Sequence, residues 1–273
     1  MTGRNGAISV TGIMEDAPRN PTTRFSDRVD NYVKYRPSYP LEVIDALKSH
    51  CGLTPSTIVA DIGSGTGILT RLLLQNGNHV LAVEPNLEMR VAAERLLVSE
   101  SGFESRDGSA EETGLANGSV DLIVAAQAFH WFDRELSKKE FRRILRPGGW
   151  IVLIWNERET ETSEFLAAYE SLLEQHTIDY QRVNHTNITD DVLSEFFKPG
   201  IFETLTFRNS QRFDFEGLKG RCMSSSYIPN EGQPGHERMI SSLEEIFDRY
   251  QTEGWVEFEY RTNLYLSSFL PER

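Results

Sequence analysis

The sequence predicts an α/β protein with a doubly wound, mostly parallel seven-stranded sheet, an antiparallel C-terminal hairpin and a helical cap. Three observations carry this. Short β-branched runs alternate with helix-period segments between residues 57 and 155. Those runs are apolar throughout, as in strands covered on both faces. The last third changes character and offers two long, alternating, aromatic stretches instead, the pattern of antiparallel strands.

The elements follow in order. Phe25 to Tyr35 reads as a helix that Pro37 and Pro40 stop, and Leu41 to Ser49 resumes as an amphipathic helix. Thr57–Ala60 is a strand, Ile68–Gln75 a helix ended by Asn76-Gly77. His79–Val83 is a strand and Asn86–Val98 its helix. Phe103–Arg106 and Val120–Ala126 are strands. Arg134–Leu145 is a helix closed by the turn Arg146-Pro147-Gly148-Gly149, and Trp150–Trp155 is the most apolar strand. Ser163–His176 is helical, Ile201–Phe215 and Trp255–Tyr265 are the antiparallel strands, and Glu237–Tyr250 is an amphipathic helix between them. Residues 1–21, rich in Gly, Asn, Thr and Pro, read as a flexible tail. Residues 22–273 read as one domain, with 22–50 as N-terminal helices and 217–254 as a cap or substrate lid.

The chain has 273 residues, enough for one large α/β domain with a full core. A net charge of −13 argues against nucleic acid, whose binding needs clustered Lys and Arg. Two cysteines, Cys51 and Cys222, make neither a disulfide framework nor a metal motif, and the six histidines show no ligand spacing. No apolar stretch reaches the length that spans a bilayer, and no leader is evident. These features point to a cytoplasmic protein without metal, nucleic acid or membrane, a monomer or a homodimer.

The chemistry concentrates in Asp61-Ile62-Gly63-Ser64-Gly65-Thr66-Gly67, at a strand end and opening a helix. Glycines there let the backbone approach a ligand, and the helix N-terminus offers unpaired N–H groups. A dinucleotide fingerprint needs G-x-G-x-x-G, but the third position is Ile68; a P-loop needs Gly-Lys-Ser/Thr, which is absent. Glu84, ending the second strand in Val83-Glu84-Pro85-Asn86, can accept both hydroxyls of a ribose. Asp107-Gly108-Ser109-Ala110-Glu111 follows the third strand, and Ala126-Gln127-Ala128-Phe129-His130-Trp131-Phe132-Asp133 the fourth. Each also has a bland reading: a structural turn, a helix-entry charge, an Asp-Gly turn.

The glycine spacing resembles motif I of class I S-adenosylmethionine-dependent methyltransferases, and the companions match the type 11 kind in order and spacing from Phe25 to Trp155. Tyr32-Val33-Lys34-Tyr35-Arg36-Pro37-Ser38-Tyr39-Pro40, the His130-Trp131-Phe132 run and Trp155-Asn156-Glu157-Arg158 are similar to the trans-aconitate methyltransferase-like subgroup. The resemblance implies a Rossmann-like fold and methyl transfer from S-adenosylmethionine, leaving S-adenosylhomocysteine, to a small-molecule acceptor. Gly63, Ser64, Gly65 and Gly67 would admit the methionine part, with Asp61 toward its amino group. Glu84, with Pro85 and Met89 beside it, would take the ribose, and Asp107, Ala110 and Glu111 the adenine. Gln127 and Ala128 would lie beneath the donor, Tyr32 and Arg36 would close over it, and Arg36 would pair its carboxylate. Phe129, Trp131, Asn156 and Tyr227 would line the acceptor pocket. His130 is the candidate general base, against a plain packing role. Two other readings stay open: an NAD-dependent oxidoreductase, for which no Tyr-x-x-x-Lys pair is present, and a non-catalytic S-adenosylmethionine-binding protein.

Overall fold

The structure is a computed structural model that describes residues 28–177 and 188–268. The predicted tail, Phe25 and His185 lie outside the described residues. In chain order the elements are α1 (Val29–Tyr35), α2 (Glu42–Cys51), β1 (Ile58–Ile62), α3 (Ile68–Gln75), β2 (His79–Val83), α4 (Leu87–Leu97), β3 (Phe103–Arg106), β4 (Val120–Ala126), a 3-10 turn (Phe129–Trp131), α5 (Arg134–Ile144), β5 (Leu145–Arg158), α6 (Glu164–His176), α7 (Asp190–Phe197), β6 (Glu203–Phe213), α8 (Phe215–Met223), α9 (His236–Tyr250) and β7 (Val256–Ser268).

The seven strands form one sheet in the order β3-β2-β1-β4-β5-β7-β6. β1 to β5 run parallel, while β7 lies antiparallel between β5 and β6. The sheet has a covered core on each side because strand residues alternate between them. Ala60, Ile62, Ile123 and Ile151 face α5 and α7; Val59, Val80, Leu122 and Val152 face α2 and α3. A third apolar cluster joins α6, α8 and α9 to Phe213, Val256 and Phe258 at the hairpin's far end. Full burial of one such Leu or Phe is worth roughly 1.5–3 kcal/mol, so these clusters outweigh any surface pair.

Some predicted bounds move. The turn expected at Arg146-Pro147-Gly148-Gly149 lies inside β5, which starts at Leu145 with a register shift opposite Val120 and Leu122. The bulge absorbs the proline and glycines without ending the strand. α7 and α8 were not anticipated. α7 has eight residues, and α8 carries Gly217 and Gly220, which weaken the helical signal. Gly220 has a packing reason: a Cβ there would sit 2.0 Å from the Tyr35 ring, so α8 lies directly on α1.

Strands β2 and β4 flank β1, and the chain leaves β1 and β4 in opposite directions. A crevice must open at that reversal, beyond the carboxyl ends of the strands.

Candidate active site

The crevice is a cleft of about 920 Å³ including its mouth, lined by the loop after β1, the ends of β2 and β4, residues 109–111 and the tyrosines Tyr32 and Tyr39.

Its floor is the glycine loop. Gly63 and Ser64 donate their N–H groups to the Val83 carbonyl at 2.9 and 3.1 Å, which ties the loop to β2. Gly65 has φ +58°, a left-handed backbone that side chains rarely adopt, and a Cβ there would point at open cleft with only Met89 Sδ 3.9 Å away. Gly67 is different: a Cβ would strike Leu97 Cδ1 at 2.7 Å, so it is needed for helix packing and does not line the cleft.

Two carboxylates face this floor. Asp61 is 1% exposed and accepts a 2.6 Å bond from Thr70 Oγ1. Burial pushes its carboxyl up to about 7, with the nearby Glu84 charge adding to it. Glu84 accepts from Gly65 N through Oε2 and from Asn86 N through Oε1, both at 2.8 Å. Burial raises its pKa too, opposed by these two backbone bonds. Asn86 caps α4 by accepting from Met89 N, which holds Met89 at the cleft edge. Thr66 Oγ1 is buried on the same wall without a hydrogen-bond partner.

The opposite wall comes from the segment after β4. Gln127 holds φ +56°, unusual for a residue with a side chain, and is pinned by its N–H to Ile154 O and its Nε2 to Asn156 O at 2.9 and 3.0 Å. This strained turn presents Ala128, Trp131 and Phe132 to the cleft.

The structure thus brings Tyr32, Asp61, Gly63, Ser64, Gly65, Glu84, Pro85, Met89, Ala110, Glu111, Gln127, Ala128 and Trp131 to one cleft. It places six other predicted residues elsewhere. Asp107 is largely exposed and pairs with Arg90 at 3.1 Å, so the wall there is Ser109 to Glu111. Phe129 is fully buried in the core, edge-on to Phe196 at 4.6 Å, because its side of the 3-10 turn faces inward. His130 borders a neighbouring groove between the 3-10 turn and α7, with Asp191 and Glu195 across it. Asn156 is buried behind the wall, where Nδ2 donates to Ser38 O and Oδ1 accepts from Thr262 Oγ1. Arg36 turns to the Ser224 carbonyl at 3.0 Å, and Tyr227 packs at the edge of the third apolar cluster. Tyr39, Thr66, Ser109 and Phe132 line the cleft although the motif reading passed over them. Tyr39 and Phe132 sat inside motifs already quoted, so the signal was present without a way to choose among neighbouring aromatics.

These residues fit an S-adenosyl group. Glu84 keeps lone pairs for hydroxyls, buried Asp61 meets no cation among the described residues, Thr66 has an open hydroxyl, and Gly65 leaves a cradle that a Cβ would fill. Among the described residues no group of three or more His, Cys, Asp or Glu could hold a metal ion, and no helix is long and apolar enough to cross a membrane.

Comparison with known proteins agrees. Residues 60–153 match the family model described as a methyltransferase domain. The chain is 28% identical over 253 residues to an uncharacterised methyltransferase of Schizosaccharomyces pombe, covering 90% of this chain and 97% of that protein. It is 39% identical over 141 residues to an uncharacterised methyltransferase of Mycobacterium bovis, covering 52% of this chain and 55% of that protein. Among solved structures, a protein named as a type II methyltransferase from Anaeromyxobacter dehalogenans superposes with a TM-score of 0.65 at 23% identity, over 87% of this chain and 100% of that one. The domain match, the methyltransferase-named relatives and the shared fold together support a methyltransferase enzyme.

Proposed function

We propose that this enzyme moves a methyl group from S-adenosylmethionine to a small-molecule acceptor by in-line displacement. The observation that carries the reading is the pairing of Asp61 and Glu84 on one wall of a cleft whose other wall is Ala128, Trp131 and Phe132. The donor would supply a sulfonium whose positive charge disappears as the methyl leaves. Glu84 is placed to take the ribose hydroxyls, Asp61 the amino group, and Ser109 to Glu111 to flank the adenine. Gln127, strained and doubly pinned, holds the segment nearest the reacting end in one position. Trp131 and Phe132 exclude water there, and an aromatic face also favours a cation.

Such a site works by alignment, for which model reactions give up to ~7–11 kcal/mol. It does not depend on His130, which borders the neighbouring groove and not the cleft. The acidic surface and enclosed aromatic wall favour a small acceptor over a macromolecule.

The test is titration with S-adenosylhomocysteine and with NADH, followed by single turnovers with methyl-labelled donor and a metabolite extract. The proposal expects tight S-adenosylhomocysteine binding, no NADH preference and labelled product. Preference for NADH would restore the oxidoreductase reading, and binding without any labelled product would leave a non-catalytic binder.

A further inference from the structure

Among the described residues, two guanidinium groups beside the cleft, one buried and one half-buried, have no acidic partner. Arg221, on α8, is 6% exposed. Its Nε donates to the Tyr260 hydroxyl at 3.2 Å, and its Nη1 to the Ser224 and Ser225 hydroxyls at 3.5 and 3.3 Å. All three bonds are at or beyond the long end of the usual range, and all go to neutral groups. Arg36 follows α1. Its Nη2 donates to the Ser224 carbonyl at 3.0 Å, its guanidinium lies over the Tyr32 ring at 4.9 Å, and its Nε is buried with no hydrogen-bond partner.

The two cations converge on Ser224, and Arg221 pushes the Arg36 pKa down, after burial itself. A buried charge normally carries a counter-charge, because its desolvation costs several kcal/mol. This chain does not lack carboxylates: it has 41 acidic against 28 basic residues. Two other largely buried arginines keep the rule: Arg90 pairs with Asp107 and Arg158 with Glu170. Among the described residues no carboxylate reaches Arg36 or Arg221 where they meet, and the neighbouring buried Arg28 donates to the Ser225 and Ile228 carbonyls of the same segment.

That place adjoins the cleft. Tyr32, under the Arg36 guanidinium, is itself a cleft residue. An oxyanion between the two forks would satisfy Arg36 Nε, cancel the repulsion and bind bidentately, as guanidinium groups do with carboxylate and phosphate.

We propose that Arg36 and Arg221 seat an oxyanion, a carboxylate or phosphate, carried by the methyl acceptor. This rests on the methyl-transfer reading above. It reassigns Arg36, which the motif had given to the donor's carboxylate, and gives α8 a part in choosing the acceptor.

The test uses the full chain with succinate, inorganic phosphate and uncharged succinamide, each at matched ionic strength in chloride and each with and without saturating S-adenosylhomocysteine. Binding is followed by calorimetry and thermal melting. The expected result is that phosphate or succinate binds and raises Tm, succinamide does not, and both effects persist when S-adenosylhomocysteine is saturating. Whichever anion binds more tightly identifies the group. Arg221→Met should weaken anion binding at least tenfold, Arg221→Lys should recover part of it, and S-adenosylhomocysteine affinity should change less than threefold in both. Should Arg221→Met fail to fold, Arg36→Met carries the anion measurement. The proposal is overturned if neither anion binds the wild type, or if the variants bind anions as the wild type does. It is equally overturned if saturating S-adenosylhomocysteine abolishes anion binding, since the forks would then hold the donor's own carboxylate. Failure of S-adenosylhomocysteine to bind at all would instead sink the methyl-transfer reading.

Discussion

At the scale of single residues, the carboxyl of Asp61 makes the sharpest demand. Its pKa of about 7 is set first by burial. In the proposed site the donor's ammonium would bind the ionised form, so below pH 7 a proton would first have to be expelled. S-adenosylhomocysteine affinity should fall about tenfold between pH 8 and pH 6, measured by calorimetry in buffers of equal ionic strength. Asp61→Asn should bind weakly with a flat profile; a variant as steep as the wild type would place the titration elsewhere. The sign for stability is opposite. Between the unfolded value of 3.8 and about 7 the folded state holds the extra proton, so the ligand-free protein becomes less stable as pH rises through that window. Asp61→Asn, which can keep the Thr70 bond, should therefore raise ligand-free stability at pH 8 by about 1–3 kcal/mol. His130 makes the complementary demand. It lies outside the cleft, so His130→Gln should leave the pH dependence of turnover unchanged and alter its rate less than fivefold. A lost acid limb in the variant's profile would return the base role to it.

At the scale of elements, the wall of the cleft depends on a buried clamp. Glu140, on α5, accepts from Thr113 N at 2.9 Å, from Thr113 Oγ1 at 2.6 Å and from Arg143 at 2.7 Å. The Arg143 bond holds its carboxyl down at about 2, with Thr113 helping. The clamp fastens the chain just after Ser109 to Glu111 onto α5, whose cap Asp133 in turn has its N–H bonded to Glu111 Oε1 at 2.8 Å. Glu140→Ala should cost about 2–3 kcal/mol, because it orphans two buried donors of Thr113. The clamp's contribution is full above pH 4.5 and is lost as pH falls through about 2, so the variant and wild type should converge in urea melts at acid pH. A cost under 0.5 kcal/mol at pH 7 would show that the loop is held by other means.

Legibility in the sequence divides along this same line. The loop, Glu84 and the parallel strands could be read because backbone chemistry demands those residue types at local spacing. Asp107 could not, since an Asp-Gly pair marks a turn without saying which of the four neighbouring side chains turns inward; Arg90, 17 residues earlier, decides it. In Phe129-His130-Trp131-Phe132 a 3-10 turn sends adjacent side chains in different directions, so one entered the core, one a side groove and two the cleft. Arg36, Asn156 and Tyr227 take their partners from residues over 50 apart or from the third apolar cluster, which no local pattern encodes.

At the scale of the whole molecule, the sheet makes the cleft but does not close it. The two sheet-face cores would stand without α8 and α9, which have their own apolar cluster with α6. The link between that cluster and the cleft is α1, which rests on α8 at Gly220 and carries Tyr32 to the cleft. The strap after it is tied down at Ser38 by Asn156 and Asn209, at 3.2 and 2.7 Å, and at Tyr35 by Gln211 at 3.3 Å. Gly220→Val puts a branched carbon where the Tyr35 ring already lies, so α1 and α8 must part. Because neither sheet face is touched, the protein should still fold cooperatively, with a loss of about 1–3 kcal/mol. Hydrogen exchange should rise over residues 29–40 and 215–223 while β1, β2 and β4 stay protected. S-adenosylhomocysteine affinity should drop at least tenfold, since Tyr32 leaves the wall. Unchanged affinity alongside faster exchange would mean that α1 covers the cleft without shaping it, and that Tyr39 with the sheet-borne residues suffices to hold the donor.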